Sequence, residues 1–139
     1  MRSLSILAFI LLSFASSCGA APPDPRSRSA VEQILQQVID SERLDKYFHA
    51  DELPGRKPLR VLKSEIVTDE IHLMKFGQKV ELISAKDASG AYLEFPKIDI
   101  SSERATVEFR YRVEGLRGEA ELAKQGESWL LKSIALREN

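Results

Sequence analysis

Between residues 105 and 114 the side chains alternate without a break. Ala105, Val107, Phe109, Tyr111 and Val113 share one parity, and Thr106, Glu108, Arg110, Arg112 and Glu114 share the other. Successive side chains of a strand point to opposite faces, so this run describes a strand with one buried and one solvated face. A helix would scatter the same apolar residues around its circumference, because its period is 3.6 rather than 2. The chain must therefore build a half-exposed antiparallel sheet and lay something apolar over its inner face.

The flanking segments extend that sheet. Leu93 and Phe95 share one parity, Ile98 and Ile100 the other, and the switch falls at Pro96. Proline cannot donate to a ladder, so a bulge or bend at Pro96 accounts for both observations. Ser101-Ser102-Glu103 reads as a turn, and Gly115-Leu116-Arg117-Gly118 as a second turn or bulged corner. A strand over 119–124, a tight turn at Gln125-Gly126-Glu127 and a last strand over 128–136 follow. Hairpin succeeds hairpin, which makes an antiparallel meander. Trp129, just past a turn, is read as a core anchor, with an interface anchor as the alternative.

The cover comes from the N-terminal side. Val31, Ile34, Leu35, Val38 and Ile39 recur at i, i+3, i+4, i+7 and i+8, one apolar stripe of a helix. Residues 27–48 are expected to be mainly helical. Ser29-Ala30-Val31-Glu32 reads as a capping box, in which Ser29 accepts from the amide three residues on and Glu32 reaches back. Leu44, Tyr47 and Phe48 extend the apolar face after a break at Asp40-Ser41, and Leu53-Pro54-Gly55 ends the region. Residues 56–76 hold no single period. Short strands at 59–62 and 71–75 are one reading and a second helix is the other. A strand over 79–84 and a polar loop over 85–90 complete the expected α+β fold, an N-terminal helix packed on a curved antiparallel meander.

The first residues have a different character. Met1-Arg2-Ser3 precedes an apolar run over 4–15, then Ser16-Ser17-Cys18-Gly19. One positive charge, a short apolar stretch and small residues are the parts of a secretory signal. The run is shorter than the roughly 20 residues that a membrane span needs. Cys18 is the single cysteine, which excludes an internal disulfide. Its position after small residues resembles a bacterial lipoprotein signal, in which the thiol is acylated and becomes the mature N-terminus. The usual Leu three residues earlier is Ala15 here, and an ordinary signal cut after Ala15, Ala20 or Ala21 is the alternative. Ala21-Pro22-Pro23-Asp24-Pro25 reads as an extended tether. The expected organisation is a signal over 1–17, a tether over 18–27 and one α+β domain over 28–139. The lipid would anchor the exported domain to the cell-envelope membrane, facing the periplasm or the cell exterior.

A helix followed by a curved meander resembles the cystatin-like and nuclear-transport-factor-2-like folds. Ala105-Thr106-Val107-Glu108-Phe109-Arg110-Tyr111 is similar to their penultimate long strands, as is the strand, turn and Trp of residues 122–131. The likeness covers about residues 90–137 and the helix, and many small bacterial lipoproteins look like this. These folds host isomerases, dehydratases, binding modules and toxin-neutralising proteins, so the resemblance selects no activity.

Catalytic signatures are missing. The chain has no G-x-S-x-G, no P-loop and no dinucleotide glycine fingerprint. His49-Ala50-Asp51-Glu52 and Asp69-Glu70-Ile71-His72 lack a recognised ligand spacing and read as solvated loops, so no metal or cofactor is expected. A site joining His49 and His72 is the sharper alternative. Asp99, with Tyr92 and Tyr111 as partners, is the one acid–base triple worth inspecting, although alternation favours a solvent-facing Asp99. A formal net charge of −1 gives no reason to expect nucleic acid. Arg110, Arg112 and Arg117, with Glu108, Glu114, Glu119 and Glu121, place a mixed-charge patch on the outer sheet face. Most such faces are simply solvated; the sharper reading is a protein-binding surface. The expected function is thus a noncatalytic envelope lipoprotein that binds a protein of unknown identity or supports an envelope complex. An inhibitor or immunity protein is one version. The alternative is a small-ligand carrier or isomerase-like enzyme using the concave face. An apolar cavity with a buried Asp or His would favour that alternative, and a filled core the binding module.

Overall fold

The computed structural model describes residues 25–139, with side chains from residue 30 onward. The expected signal, Cys18 and most of the expected tether lie outside the described residues. The described chain is α+β. Two helices, α1 (Pro25–Ile39) and α2 (Glu42–Phe48), precede eight strands. These are β1 (Arg60–Leu62), β2 (Met74–Lys75), β3 (Gln78–Lys79), β4 (Glu81–Ile83), β5 (Leu93–Ile100), β6 (Arg104–Tyr111), β7 (Leu116–Gln125) and β8 (Ser128–Glu138). Six strands form one sheet in the order β4-β1-β5-β6-β7-β8, and β2 with β3 forms a separate ribbon.

The helical stripe behaves as its period requires. Val31, Ile34, Leu35, Val38 and Ile39 are all buried. The break falls at Asp40-Ser41, where Ser41 N–H turns back to Val38 C=O at 3.2 Å and Ser41 C=O accepts from Leu44 N–H at 3.0 Å. The start differs from expectation. The helix begins at Pro25, taking in residues 25–27 of the expected tether, so Ser29 lies inside it. Proline suits a first helical position because the amide it lacks would be unpaired there. Glu32 does not reach back; its carboxylate accepts from His72 N–H at 2.9 Å.

The meander β5–β8 is antiparallel throughout. The bulge expected at Pro96 is present. Pairing steps from Glu94↔Arg110 to Lys97↔Glu108, which leaves one extra residue on β5. Ala105, Val107, Phe109 and Tyr111 are buried as the alternation demands. Val113 is a correction: it is 45 % exposed. The chain leaves the sheet after Tyr111 into a 3-10 turn, Arg112–Glu114, closed by Gly115 at φ 61°. The two-residue alternation of the strand no longer applies beyond that point, because a 3-10 turn has three residues per turn. Ile100 is likewise 40 % exposed, at the end of β5. The expected corner at residues 115–118 narrows to this turn, and β7 already starts at Leu116.

Gly118 therefore lies within a strand, for a packing reason. A Cβ there would stand 2.1 Å from Phe109 Cζ, so the Phe109 ring occupies the space over Gly118 in the register-paired position. Residues 56–76 resolve into β1, a loop and β2. β1 runs parallel to both of its neighbours, β4 and β5, which alternation could not reveal.

Polar side chains of α1 fasten the rest. The Gln36 amide donates to Met74 C=O at 2.8 Å and accepts from Met74 N–H at 3.0 Å, the pairing a strand would offer. Gln33 accepts from Trp129 N–H at 3.2 Å, and Arg43 donates to Ile134 C=O. Both bonds engage β8, the edge strand of the sheet. Backbone groups at such an edge otherwise invite pairing with another chain. One cluster of buried side chains from both helices and the sheet, Trp129 included, fills the space between them.

Candidate functional site

The strand registers place the outer-face side chains in transverse rows. Glu94 pairs with Arg110, Arg110 with Arg117 and Arg117 with Arg137 across β5, β6, β7 and β8. Three arginines thus leave neighbouring strands side by side, their backbones at the strand spacing of about 4.8 Å. The next row holds Lys97, Glu108, Glu119 and Ala135, and the one after it Asp99, Thr106, Glu121 and Ser133. Arg117, Glu119, Glu121, Ser133, Ala135 and Arg137 are all exposed.

The arginines are not equivalent. Glu94 is 7 % exposed, although it sits on the outer face. Arg112 grips it with Nε at 3.1 Å from one carboxylate oxygen and a terminal nitrogen at 3.1 Å from the other. This fork is the geometry that suits guanidinium and carboxylate. Arg110 adds a contact at 3.6 Å. Arg110 and Arg112 are therefore partly consumed in holding a buried acid. Arg117 and Arg137 have no carboxylate within ion-pair distance among the described residues. Arg117 instead donates to the Asn139 amide oxygen, at 3.2 Å from Nε and 3.3 Å from a terminal nitrogen, once that amide is turned to suit its partners. Two shallow depressions of about 260 and 440 Å³ flank the row, and both are lined by Arg110 and Arg117. Arg137 joins the first of them. Reading β6 and β7 alone did not reveal Arg137, because its position beside Arg117 depends on the β7–β8 register and on a shift in it between Glu121 and Leu122.

Glu114 does not belong to this patch. The 3-10 turn carries it to the far end of α2, where Arg56 donates to it at 2.8 Å and His49 Nε2 stands 3.7 Å away. Arg56 also reaches Phe48 C=O and the Tyr111 hydroxyl, both at 3.4 Å, and is 8 % exposed. This guanidinium ties the end of α2 to the end of β6. Burial pushes the Tyr111 phenol above its ordinary pKa, with the Arg56 hydrogen bond opposing.

The other sequence candidates separate. Asp99 is exposed on the outer face and lies 3.5 Å from Lys97, whereas Tyr111 is buried on the inner face, so the triple with Tyr92 is not assembled. His49 is engaged by Glu52 at 3.1 Å, Asp51 by Lys57 and Asp69 by Lys63, while His72 is exposed. Among the described residues no group of three or more His, Cys, Asp or Glu is placed to hold a metal ion. A groove of about 600 Å³ between the helices and the β2–β3 ribbon is lined by Asp40, Asp45, His49, Asp51, Glu52 and Lys75, among others. Its acids are already occupied: Asp45 by Lys75 at 2.6 Å, and Asp40 by Gln36 at 3.0 Å. No family model, curated protein or solved structure matches the chain.

Proposed function

We propose that this is a noncatalytic, lipid-anchored envelope protein that binds another protein through the outer face of its sheet. The observation that carries the reading is the register-aligned row of half-buried Arg110 and exposed Arg117 and Arg137, on a face that no other described element covers. Like charges directly opposite one another destabilise a sheet, so the row costs the isolated domain stability. An external partner accounts for that cost. The filled space between helices and sheet supports a surface function over a carrier or isomerase-like one. The helices over four antiparallel strands also suit a cystatin-like or nuclear-transport-factor-2-like domain, and an inhibitor or immunity protein is one form the activity takes. The anchor is Cys18, acylated after removal of residues 1–17, with the Pro-rich stretch holding the domain off the membrane.

Two experiments test this. Labelled palmitate enters the wild type and not Cys18→Ala; equal labelling of both removes the lipid anchor. Crosslinking of the tagged full chain in its native membranes, followed by pull-down, yields a protein adduct. Asp99→Asn retains the adduct, and Arg117→Glu with Arg137→Glu loses it. The reverse pattern in folded variants would replace the binding surface with a pocket-based function.

A further inference from the structure

The arginine row is one half of a two-signed surface. One step along the face, two residues along β6, β7 and β8 and three along the bulged β5, the register sets Glu108 and Glu119 beside one another, followed by Glu121 and Asp99. The step is about 6.6 Å, twice the rise per residue. Lys97 is the one cation in these lower rows on β5–β8, and it stands 3.5 Å from Asp99. The face therefore changes sign over a distance shorter than the roughly 8–10 Å that salt screens at physiological strength.

We infer that the partner is a protein whose docking surface carries a carboxylate stripe and, about 7 Å from it, a stripe of Lys or Arg. This rests on the protein-binding reading and adds the partner's chemistry to it. The carboxylates lie across Arg110, Arg117 and Arg137, and the cations lie over Glu108, Glu119 and Glu121. A nucleic acid or an anionic membrane surface presents one sign of charge throughout. It would gain from the first row and be repelled by the next two, because like-charge juxtaposition works against association. A protein surface can match both. Residues i and i+2 of an extended strand, or i and i+4 of a helix, supply a spacing of this size. Arg117 is the central contact, since it stands between two other arginines and has no carboxylate within ion-pair distance among the described residues. Arg112 and Glu94 are positioning residues that hold the Arg110 end of the row.

The test uses a photo-crosslinking residue, benzoylphenylalanine, at Ala135, which is exposed in the row next to the arginines. The full chain is expressed in its own membranes and irradiated, and the attached segment is identified by mass spectrometry. The expected product is a protein segment with Asp or Glu and Lys or Arg at one of these spacings. Its yield falls roughly tenfold or more in Arg117→Glu with Arg137→Glu. Arg117→Gln with Arg137→Gln gives an intermediate yield and guards against a folding defect, with the melting temperature of each variant as the check. A lipid or nucleic-acid adduct, a segment without carboxylates, or a yield unchanged by charge reversal overturns the inference. If Ala135 gives no adduct while the same probe at Lys86 or Leu53 captures a protein, this inference fails together with docking on the outer face, and protein binding through another surface stands. If no position captures a protein, both fail.

Discussion

Gly118→Ala should be costly despite adding a single methyl group. The new Cβ would stand 2.1, 2.4 and 2.8 Å from three atoms of the Phe109 ring. Carbon atoms in contact settle at about 3.5–4.0 Å, so the ring has to retreat by more than about 1 Å. Phe109 is 1 % exposed and packed within the main core cluster, and close-packed interiors do not yield that distance freely. Forcing a methylene into such a site costs about 1–3 kcal/mol. Replacing Gly by Ala gains about 0.4–1 kcal/mol through the unfolded chain when the backbone suits both. The clash is the larger quantity, so a net loss of about 1–2 kcal/mol is expected. In a domain of this size that lowers Tm by roughly 3–12 °C. Urea unfolding followed by circular dichroism measures it. A double-mutant cycle then identifies the cause. Phe109→Ala alone leaves a cavity and costs about 3–5 kcal/mol. With Gly118→Ala added, the methyl enters vacated space, so the pair loses less than the sum by about 0.5–3 kcal/mol. A stable Gly118→Ala, or additive losses, would refute the claim that the ring over this glycine is why β7 carries it. Arg110 and Arg117 flank this pair by one residue on each strand, so the same substitution should also disturb the arginine row.

Further outcomes follow from the same structure. Arg117→Glu should raise stability by roughly 0.5–1 kcal/mol in urea unfolding, because two like-charge cross-strand pairs become opposite-charge pairs; a loss would mean the row is not repulsive. Leu35→Ala, at a position fully buried in α1, should cost about 2–5 kcal/mol, and an unchanged melt would place that stripe in solvent. Burial raises the Tyr111 phenol in the folded state, so its contribution is complete below the unfolded value and is lost as pH rises through the folded one. Stability should therefore fall above about pH 10, and Tyr111→Phe should flatten part of that fall. Tyr47, raised by its hydrogen bond to Glu138, should keep its own share; a Tyr111→Phe variant with an unaltered alkaline profile would refute the assignment.

What could be read from the chain is what repeats locally. The helical stripe of α1, the break at Asp40-Ser41, the buried parity of β6 and the bulge at Pro96 each follow from residues within a few positions of one another. A period of 3.6 or 2, or a proline without an amide, acts on the chain wherever it lies. The alternation failed at Val113 because nothing in it marks where a strand leaves its sheet; the 3-10 turn closed by Gly115 decides that. Glu94 is nearly buried on the outer face because Arg112, eighteen residues on, folds back over it. Arg110 was legible as an outer-face residue of β6; that Arg112 leaves the strand in the 3-10 turn and shares a carboxylate with Arg110 was not. The parallel placement of β1 between β4 and β5, the grip of Gln36 on Met74, and the meeting of Arg110, Arg117 and Arg137 are likewise contacts between distant positions. Each depends on register, and a one-residue slip would turn every side chain of a strand to the other face. Local pattern sets which residues face outward; only the packed sheet sets which of them become neighbours.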